Sequence, residues 1–310
     1  MRARRWMGLA GLVVSLSAAG GLAADQPFNP QRQRAIGPSA LASDRPASDP
    51  QVQVAPGSEE LYSEIKGWMR DLEPAQTVAS LAQSFLGTPY VAFSLDEGGA
   101  ERLRVDLTRF DCMLLVEQLL ALAVSSDWPS FVATTQTMRY EAGRVDYCSR
   151  HHYFQSWAAS AADQGWVEDV TDQVAGHQRR VLNLTYMSDH PSLYSPLQTP
   201  STLRCIQEKE RRLTIEQIYL PNDGLELASR SFQNGDLFAI ATSVPGLDVT
   251  HMGVVVRDAD GVSAIHAVPG KGVIRSHPFA AYVRSVPASI GVVVLRPRST
   301  RASVQEQPST

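Results

Sequence analysis

His251–Val268 reads HMGVVVRDADGVSAIHAV. Two β-branched runs, HMGVVVRD and VSAIHAV, flank DADG at Asp258–Gly261, whose Asp and Gly supply turn chemistry. Consecutive antiparallel strands are the economical reading. Alternation then puts His251, Gly253 and Val255 on one face of the first strand, and Ala264 and His266 on one face of the second. If the strands pair, the two imidazoles can approach each other, beside a glycine whose missing side chain admits a neighbouring element or a substrate. The same signature appears before this stretch, in GDLFAIAT (Gly235–Thr242), and after it, in IGVVVLRP (Ile290–Pro297), with PGKG (Pro269–Gly272) adding another turn.

Upstream the period changes. EELYSEIKGWMRDL (59–72) and TVASLAQSFLG (77–87) carry apolar residues at helical spacing, the second stopped by Gly87 and followed by Pro89. Cys112–Val124 is the next helix, with Leu115, Val116, Leu119, Leu120 and Ala123 forming a face wide enough to require burial. Phe131–Tyr140 is a fourth. A helical half followed by a stranded half predicts an α+β fold, while the segment between Arg150 and Arg230 carries mixed signals.

The 310 residues are 44% hydrophobic and 19% charged, which suits a globular protein of one large domain or two modest ones. A net charge of -4 offers no broad positive field for nucleic acid or an anionic membrane surface. Arg2, Arg4 and Arg5 precede an apolar run from Trp6 to Ala19, and Gly21-Leu22-Ala23 supplies a small-x-small cleavage pattern. Residues 1–23 are therefore expected to be a signal peptide for export to the periplasm or cell envelope, with an uncleaved anchor as the alternative. No later segment is apolar and long enough for an integral membrane helix. Residues 24–58, rich in Pro, Ser, Ala, Gln and Asp, read as a disordered linker. A domain over 59–298 and a flexible tail over 299–310 complete the layout.

Export permits disulfides, and three cysteines cannot all pair within one chain. If Cys148 and Cys205 bridge, Cys112 is the free thiol; three free thiols are the alternative. Cys112 lies in RFDCMLLVE (Arg109–Glu117), behind Asp111 and at the first turn of a helix. Unpaired amides and the helix dipole there lower a thiol's pKa from its free value of about 8.5. A small buried hydrophobe is the plainer role. A nucleophile needs a base, and the base needs a group to orient it; Cys112, His251 and His266 can fill those places. Asp111 reads as the helix cap. Glu117 reads as buried and paired, outside the chemistry.

Seven histidines invite a zinc reading. H-E-x-x-H and C-x-x-C are both missing, and adjacent His151 and His152 would point apart on a strand, so no metal is expected. GGAE and PGKG lack the setting of a phosphate loop, and no cofactor is expected.

FLGTPYVAFSL, RFDCMLLVE, GLDVTHMGVVV and SAIHA, in that order, resemble the NlpC/P60 superfamily of papain-like cell-wall cysteine hydrolases. SRHHYFQSWAA, YMSDHPSLY and NDGLELASRSFQNGDLFAIAT are similar to its DUF1460 branch, described as N-acetylmuramoyl-L-alanine amidase-like. The similarity runs from about Leu81 to Pro297. It implies a papain-like fold, with a helical half carrying Cys112 packed on an antiparallel sheet carrying the histidines. Cys112 is then the nucleophile, His251 the general base and His266 its orienting group. Tyr90 of GTPY matches a tyrosine near the nucleophile that helps polarise the scissile carbonyl, with the Cys112 amide as the other oxyanion donor; an aromatic packed after a Pro turn is the alternative. Met113 departs from the family, where a small or hydroxylic residue is expected.

In the branch's own segment, Arg150, His152 and Tyr153 are candidate contacts for sugar or peptide carboxylates, His152 foremost, with a solvated loop as the alternative. Asp248 is available to a peptide amine or serves as a turn residue. The implied reaction cleaves the amide between N-acetylmuramic acid and L-alanine through an acyl-enzyme. The rivals are an endopeptidase cutting γ-D-glutamyl-diamino acid bonds and a non-catalytic wall-binding module. The implied partner is peptidoglycan or a muropeptide; oligomeric state is not legible.

Overall fold

The computed structural model describes residues 51–69, 74–96 and 100–298, so the expected signal peptide, most of the expected linker and the tail lie outside them. The N-terminal part is β1 (Val52–Val54), α1 (Ser58–Trp68), α2 (Pro74–Ser84), β2 (Leu103–Val105), α3 (Cys112–Val124) and α4 (Trp128–Arg139). α3 spans the expected residues because Asp111 accepts the Leu114 amide at 2.8 Å and caps it. α4 begins three residues before its expected start, on a reciprocal capping box between Asp127 and Ser130 with Pro129 in the first turn.

The linker expectation fails at its end. β1 pairs in parallel with β2, and Ser58 is fully buried, its hydroxyl accepting the Leu107 amide at 3.1 Å. Three residues whose partner lies some fifty positions away leave no local period to read.

The middle of the chain holds α5 (Phe154–Asp163), β3 (Val167–Asp169), β4 (Gln178–Asn183), α6 (Tyr186–Asp189), α7 (Pro200–Glu210), β5 (Thr214–Pro221) and α8 (Leu225–Ala228). β4 and β5 pair antiparallel over Gln178–Tyr219 to Asn183–Thr214. Cys148 and Cys205 form a disulfide that ties α7 to the segment after α4. Leu184, Met187, Leu197 and Ile206 make a small core of their own beneath it.

Last come β6 (Leu237–Thr242), β7 (Val249–Asp258), β8 (Gly261–Val268), β9 (Gly272–Ser276), α9 (Phe279–Ser285) and β10 (Ser289–Pro297). The sheet order is β4-β5-β10-β6-β7-β8-β9, antiparallel throughout, with β3 added on β10. Strand alternation divides its residues between two cores. Met252, Val254, Ile265 and Ala267 join the core of the N-terminal helices, whereas Phe238, Val255 and Ala264 pack with Phe279 and Val283 of α9. α3 lies against β7 and β8 on the first side, with Leu115, Val116, Leu119 and Leu120 fully buried. Each such side chain contributes roughly 1.5–3 kcal/mol relative to exposure, which seats the N-terminus of α3 on the sheet. The result is a mixed α and β fold on an antiparallel sheet, and no helix among the described residues is long and apolar enough to cross a membrane.

Candidate active site

Cys112 is the first residue of α3 and is partly exposed. The backbone amide of Met252, the residue after His251, is among the groups that pull the Cys112 thiol's pKa down. The ladder between β7 and β8 begins at Val254 and Ile265, so His251–Gly253 stands at the open end of that pairing, on a strand that α3 packs against. Helix and strand therefore meet at the sulfur.

The thiol does not behave as its helix position predicts. Its pKa is pushed up to about 12, first by burial of the sulfur and then by the charge of Asp111, while the amides of Met252, Met113 and Cys112 itself pull it down without prevailing. A helix N-terminus offers a few partial charges; desolvating an anion costs more. Asp111 is itself half-buried, and desolvation of its carboxyl raises it to about 6.

Tyr90 is brought to the same place by backbone bonds. The Phe110 amide donates to Pro89 at 3.0 Å and the Val91 amide to Phe110 at 3.0 Å, fastening the tyrosine's segment to the residues that enter α3. On the other side, the Val273 amide of β9 donates to the Thr88 carbonyl at 2.8 Å. Gly272 permits this approach: its φ is +78°, and a Cβ there would collide with the Thr88 carbonyl. Burial, followed by the charges of Cys112 and Asp111, lifts the Tyr90 hydroxyl to about 12, so it remains a donor.

His251 and His266 approach as the strand pattern predicts. His251 Nε2 is 2.9 Å from His266 Nδ1, and His266 Nε2 is 2.9 Å from the Ser276 hydroxyl. Burial lowers His251 to about 4; burial, His251 and Lys271 lower His266 to about 3. Both are neutral near pH 7. If His251 carries its hydrogen on Nε2 and donates it to His266, its Nδ1 is left as an acceptor, the tautomer a base at Cys112 requires.

Two members of this cluster escaped the sequence reading. Ser276 ends β9, a strand too short to announce itself beside PGKG. Tyr282 of α9 stacks on His266 with centroids 4.2 Å apart, and its hydroxyl lies 3.1 Å from His266 Nδ1. Nothing in FAAYVRS points to histidines sixteen residues earlier or more.

The expected substrate contacts have a different setting. Arg150 is buried against Asp96, at 2.5 Å, and Glu101. Tyr153 donates from inside the core to Glu210 at 2.5 Å. Asp248 is 1% exposed and accepts the amides of Gln155 and Val249, each at 2.8 Å. His152 points Nε2 at the Tyr147 carbonyl, 2.7 Å away, and burial holds it well below the ordinary histidine range. His151 is half-buried, and neither ring nitrogen has a protein partner. The polar contacts of Arg150, Tyr153 and Asp248 are thus internal, where a solvated loop would have left them to water. A polar run is hydrophilic in sequence whether it faces water or partners inside the fold.

Among the described residues no group of three His, Cys, Asp or Glu could hold a metal ion. A cavity of about 140 Å³, lined by Arg104, Arg109, Leu114, Gln118 and Arg139, abuts residues on the opposite side of α3 from Cys112 by helical rotation.

The N-acetylmuramoyl-L-alanine amidase-like family model, AmiA-like, matches residues 80–292, which include the thiol, Tyr90, both histidines and Tyr282. The chain belongs to that amidase-like family. Amidase-like structures share its fold. One, from Bacteroides uniformis ATCC 8492, is an N-acetylmuramoyl-L-alanine amidase 30% identical to the chain, covering 74% of it and 100% of the solved chain with a TM-score of 0.68. A Bacteroides fragilis structure, provisionally described as a xylanase, is 32% identical over 70% of this chain and 99% of its own, with a TM-score of 0.65. A Legionella pneumophila structure of the DUF1460 family model is 18% identical over 77% and 94%, TM-score 0.63, a likeness of fold alone. No curated protein matches.

Proposed function

We propose that this amidase-like family member is a cysteine-dependent hydrolase of peptidoglycan or its fragments, cutting between N-acetylmuramic acid and L-alanine. The observation that carries the reading is the chain of contacts from Ser276 through His266 to His251 on β7, the strand whose next residue, Met252, acts through its amide on the Cys112 thiol. In the resting site both thiol and imidazole are neutral. The proton leaves sulfur for His251 Nδ1 as Sγ attacks the carbonyl; His266, accepting from Nε2, stabilises the imidazolium. Tyr90 and the Cys112 amide donate to the oxyanion. His251 then protonates the departing amine, and water, activated by the same base, releases the acyl group.

A papain-like NlpC/P60 relationship and export to the periplasm belong to the same reading. The Cys148–Cys205 disulfide supports export, because such bridges persist in oxidising compartments. The xylanase description is the less favoured reading: glycoside hydrolysis needs a pair of carboxyls flanking the bond. Asp111, the carboxyl whose charge acts on Cys112, is spent on capping α3.

Purified muropeptides digested with the protein decide the matter by mass spectrometry. The reading expects a free stem peptide beginning with L-alanine, lost in Cys112→Ala and His251→Ala and unaffected by EDTA. Alanine and glutamate retained on the sugar would instead mean an endopeptidase. Digestion that survives Cys112→Ala overturns the mechanism, and binding to sacculi without turnover would mean a wall-binding module.

A further inference from the structure

We propose that Tyr282 is a positioning residue for the base His251, acting through His266, and that its hydroxyl alternates between His266 Nδ1 and the anion formed at Cys112. The inference rests on the cysteine mechanism above.

Nδ1 of a neutral imidazole offers either one lone pair or one hydrogen. Two groups converge on that nitrogen of His266: His251 Nε2 at 2.9 Å and the Tyr282 hydroxyl at 3.1 Å. The Tyr282 ring also stacks on His266 at an interplanar angle of 30° and lies 6.5 Å from the His251 ring, so it sets the plane in which Nδ1 points. His251 can take a proton on Nδ1 only while Nε2 carries its hydrogen, and that hydrogen needs His266 Nδ1 as acceptor. A Tyr282 hydroxyl donating to the same lone pair competes with it.

The competition resolves as the reaction proceeds. Once the sulfur's proton reaches His251 Nδ1, the imidazolium is the stronger donor at Nε2 and holds the lone pair. The displaced Tyr282 hydroxyl keeps its proton, since burial and then the charge at Cys112 raise it far above neutral. That charge is within electrostatic reach of Tyr282, and on this proposal the turning hydroxyl meets it. One proton moves from sulfur to nitrogen as the Sγ–C bond forms and the carbonyl π bond opens to the oxyanion; Tyr282 itself only exchanges hydrogen bonds. Ser276 of β9 meets the other nitrogen of His266, and the charge of Lys271, from the turn before β9, opposes a proton on that ring; Asp111 acts on the sulfur and, with Cys112, on Tyr90.

Tyr282→Phe keeps the stacked ring and removes the hydroxyl. With ¹⁵N-labelled histidine, the His251 ring-nitrogen shifts should move toward the Nε2–H tautomer, a readout that needs no turnover. On muropeptides, kcat should fall about tenfold with KM within about twofold, since the lost donor served the transition state. The acidic limb of kcat/KM should move upward by about half a pH unit, because His251 gains sole use of the His266 lone pair. Tyr282→Leu, lacking the stack as well, should lose more. Ring-nitrogen shifts, kcat and pH profile all unchanged in Tyr282→Phe overturn the proposal. Activity that survives Cys112→Ala removes the cysteine mechanism instead, and the nitrogen shifts still decide whether Tyr282 orders the histidines.

Discussion

A Cβ on Gly253 would stand 2.8 Å from the Cβ of His266, 2.5 Å from the Ile265 carbonyl and 2.8 Å from the Phe238 ring. The gap anticipated on this face of β7 is therefore filled, by the neighbouring strand that carries the second histidine. Gly253→Ala should push His266 away from His251. The overpacking should cost about 1–3 kcal/mol in urea unfolding. Activity should fall by more than that loss explains, measured at a temperature where the variant stays folded; full activity would show that the histidine spacing is not critical.

Arg139 and Glu117 form an ion pair 3% and 2% exposed, with Nη2 2.5 Å from Oε1 and Nη1 2.6 Å from the Arg104 carbonyl. It joins α3 to α4, just past the first turn of α3. Either Glu117→Gln or Arg139→Met leaves a buried charge without its counterpart and should destabilise by about 3–5 kcal/mol. The double variant should lose less than the sum of the two, because no lone charge remains. Additive losses in a denaturant series would refute the coupling.

Acid should weaken the fold through the histidines. Their folded pKa values, about 4 and about 3, lie below the ordinary 6.5, so between these limits the unfolded chain binds protons that the folded one refuses. Stability is therefore present in full above pH 6.5, falls as pH drops through this window by on the order of a few kcal/mol, and levels off below the folded values. Urea midpoints at pH 7 and pH 4.5 check the sign, and His251→Gln should reduce the difference. An equal midpoint at both pH values contradicts the burial argument.

In kinetics the same values put the acidic limb of kcat/KM near pH 4, where His251 loses its capacity as a base. Cys112 and Tyr90, both raised to about 12, leave no alkaline limb from either group below about pH 10. Iodoacetamide should accordingly alkylate Cys112 more slowly at pH 7.5 than it does a free thiol. Rapid alkylation would mean that the thiolate is populated at rest.

The cysteines give a count. Denatured without reductant, the protein should titrate one thiol, and after reduction three. Opening a bridge between residues 57 apart should cost about 2–4 kcal/mol of stability. A Cys148→Ser, Cys205→Ser variant should keep Cys112-dependent hydrolysis below its lowered melting temperature; loss of hydrolysis in the folded variant would tie the bridge to the site.

Much of the framework was legible along the chain. β6, β7, β8 and β10 announce themselves by short β-branched runs between turns, and α3 by its apolar face and Asp111 cap, because those signals are local and repeat within a few residues. β1, β9 and the β4–β5 pair are short or mixed in pattern and exist through partners distant in sequence, so no window of the chain contains their reason.

For the candidate site, residue types and periodicity determined that a cysteine would begin a buried helix and that His251 and His266, on consecutive strands, could approach if those strands paired. Only the tertiary structure decided the charge on the sulfur, the inward commitment of Arg150, Tyr153 and Asp248, and the arrival of Ser276 and Tyr282. The physical reason is that hydrogen-bond periodicity is a property of neighbouring residues. Desolvation and the pairing of polar groups depend on which remote surfaces close over them.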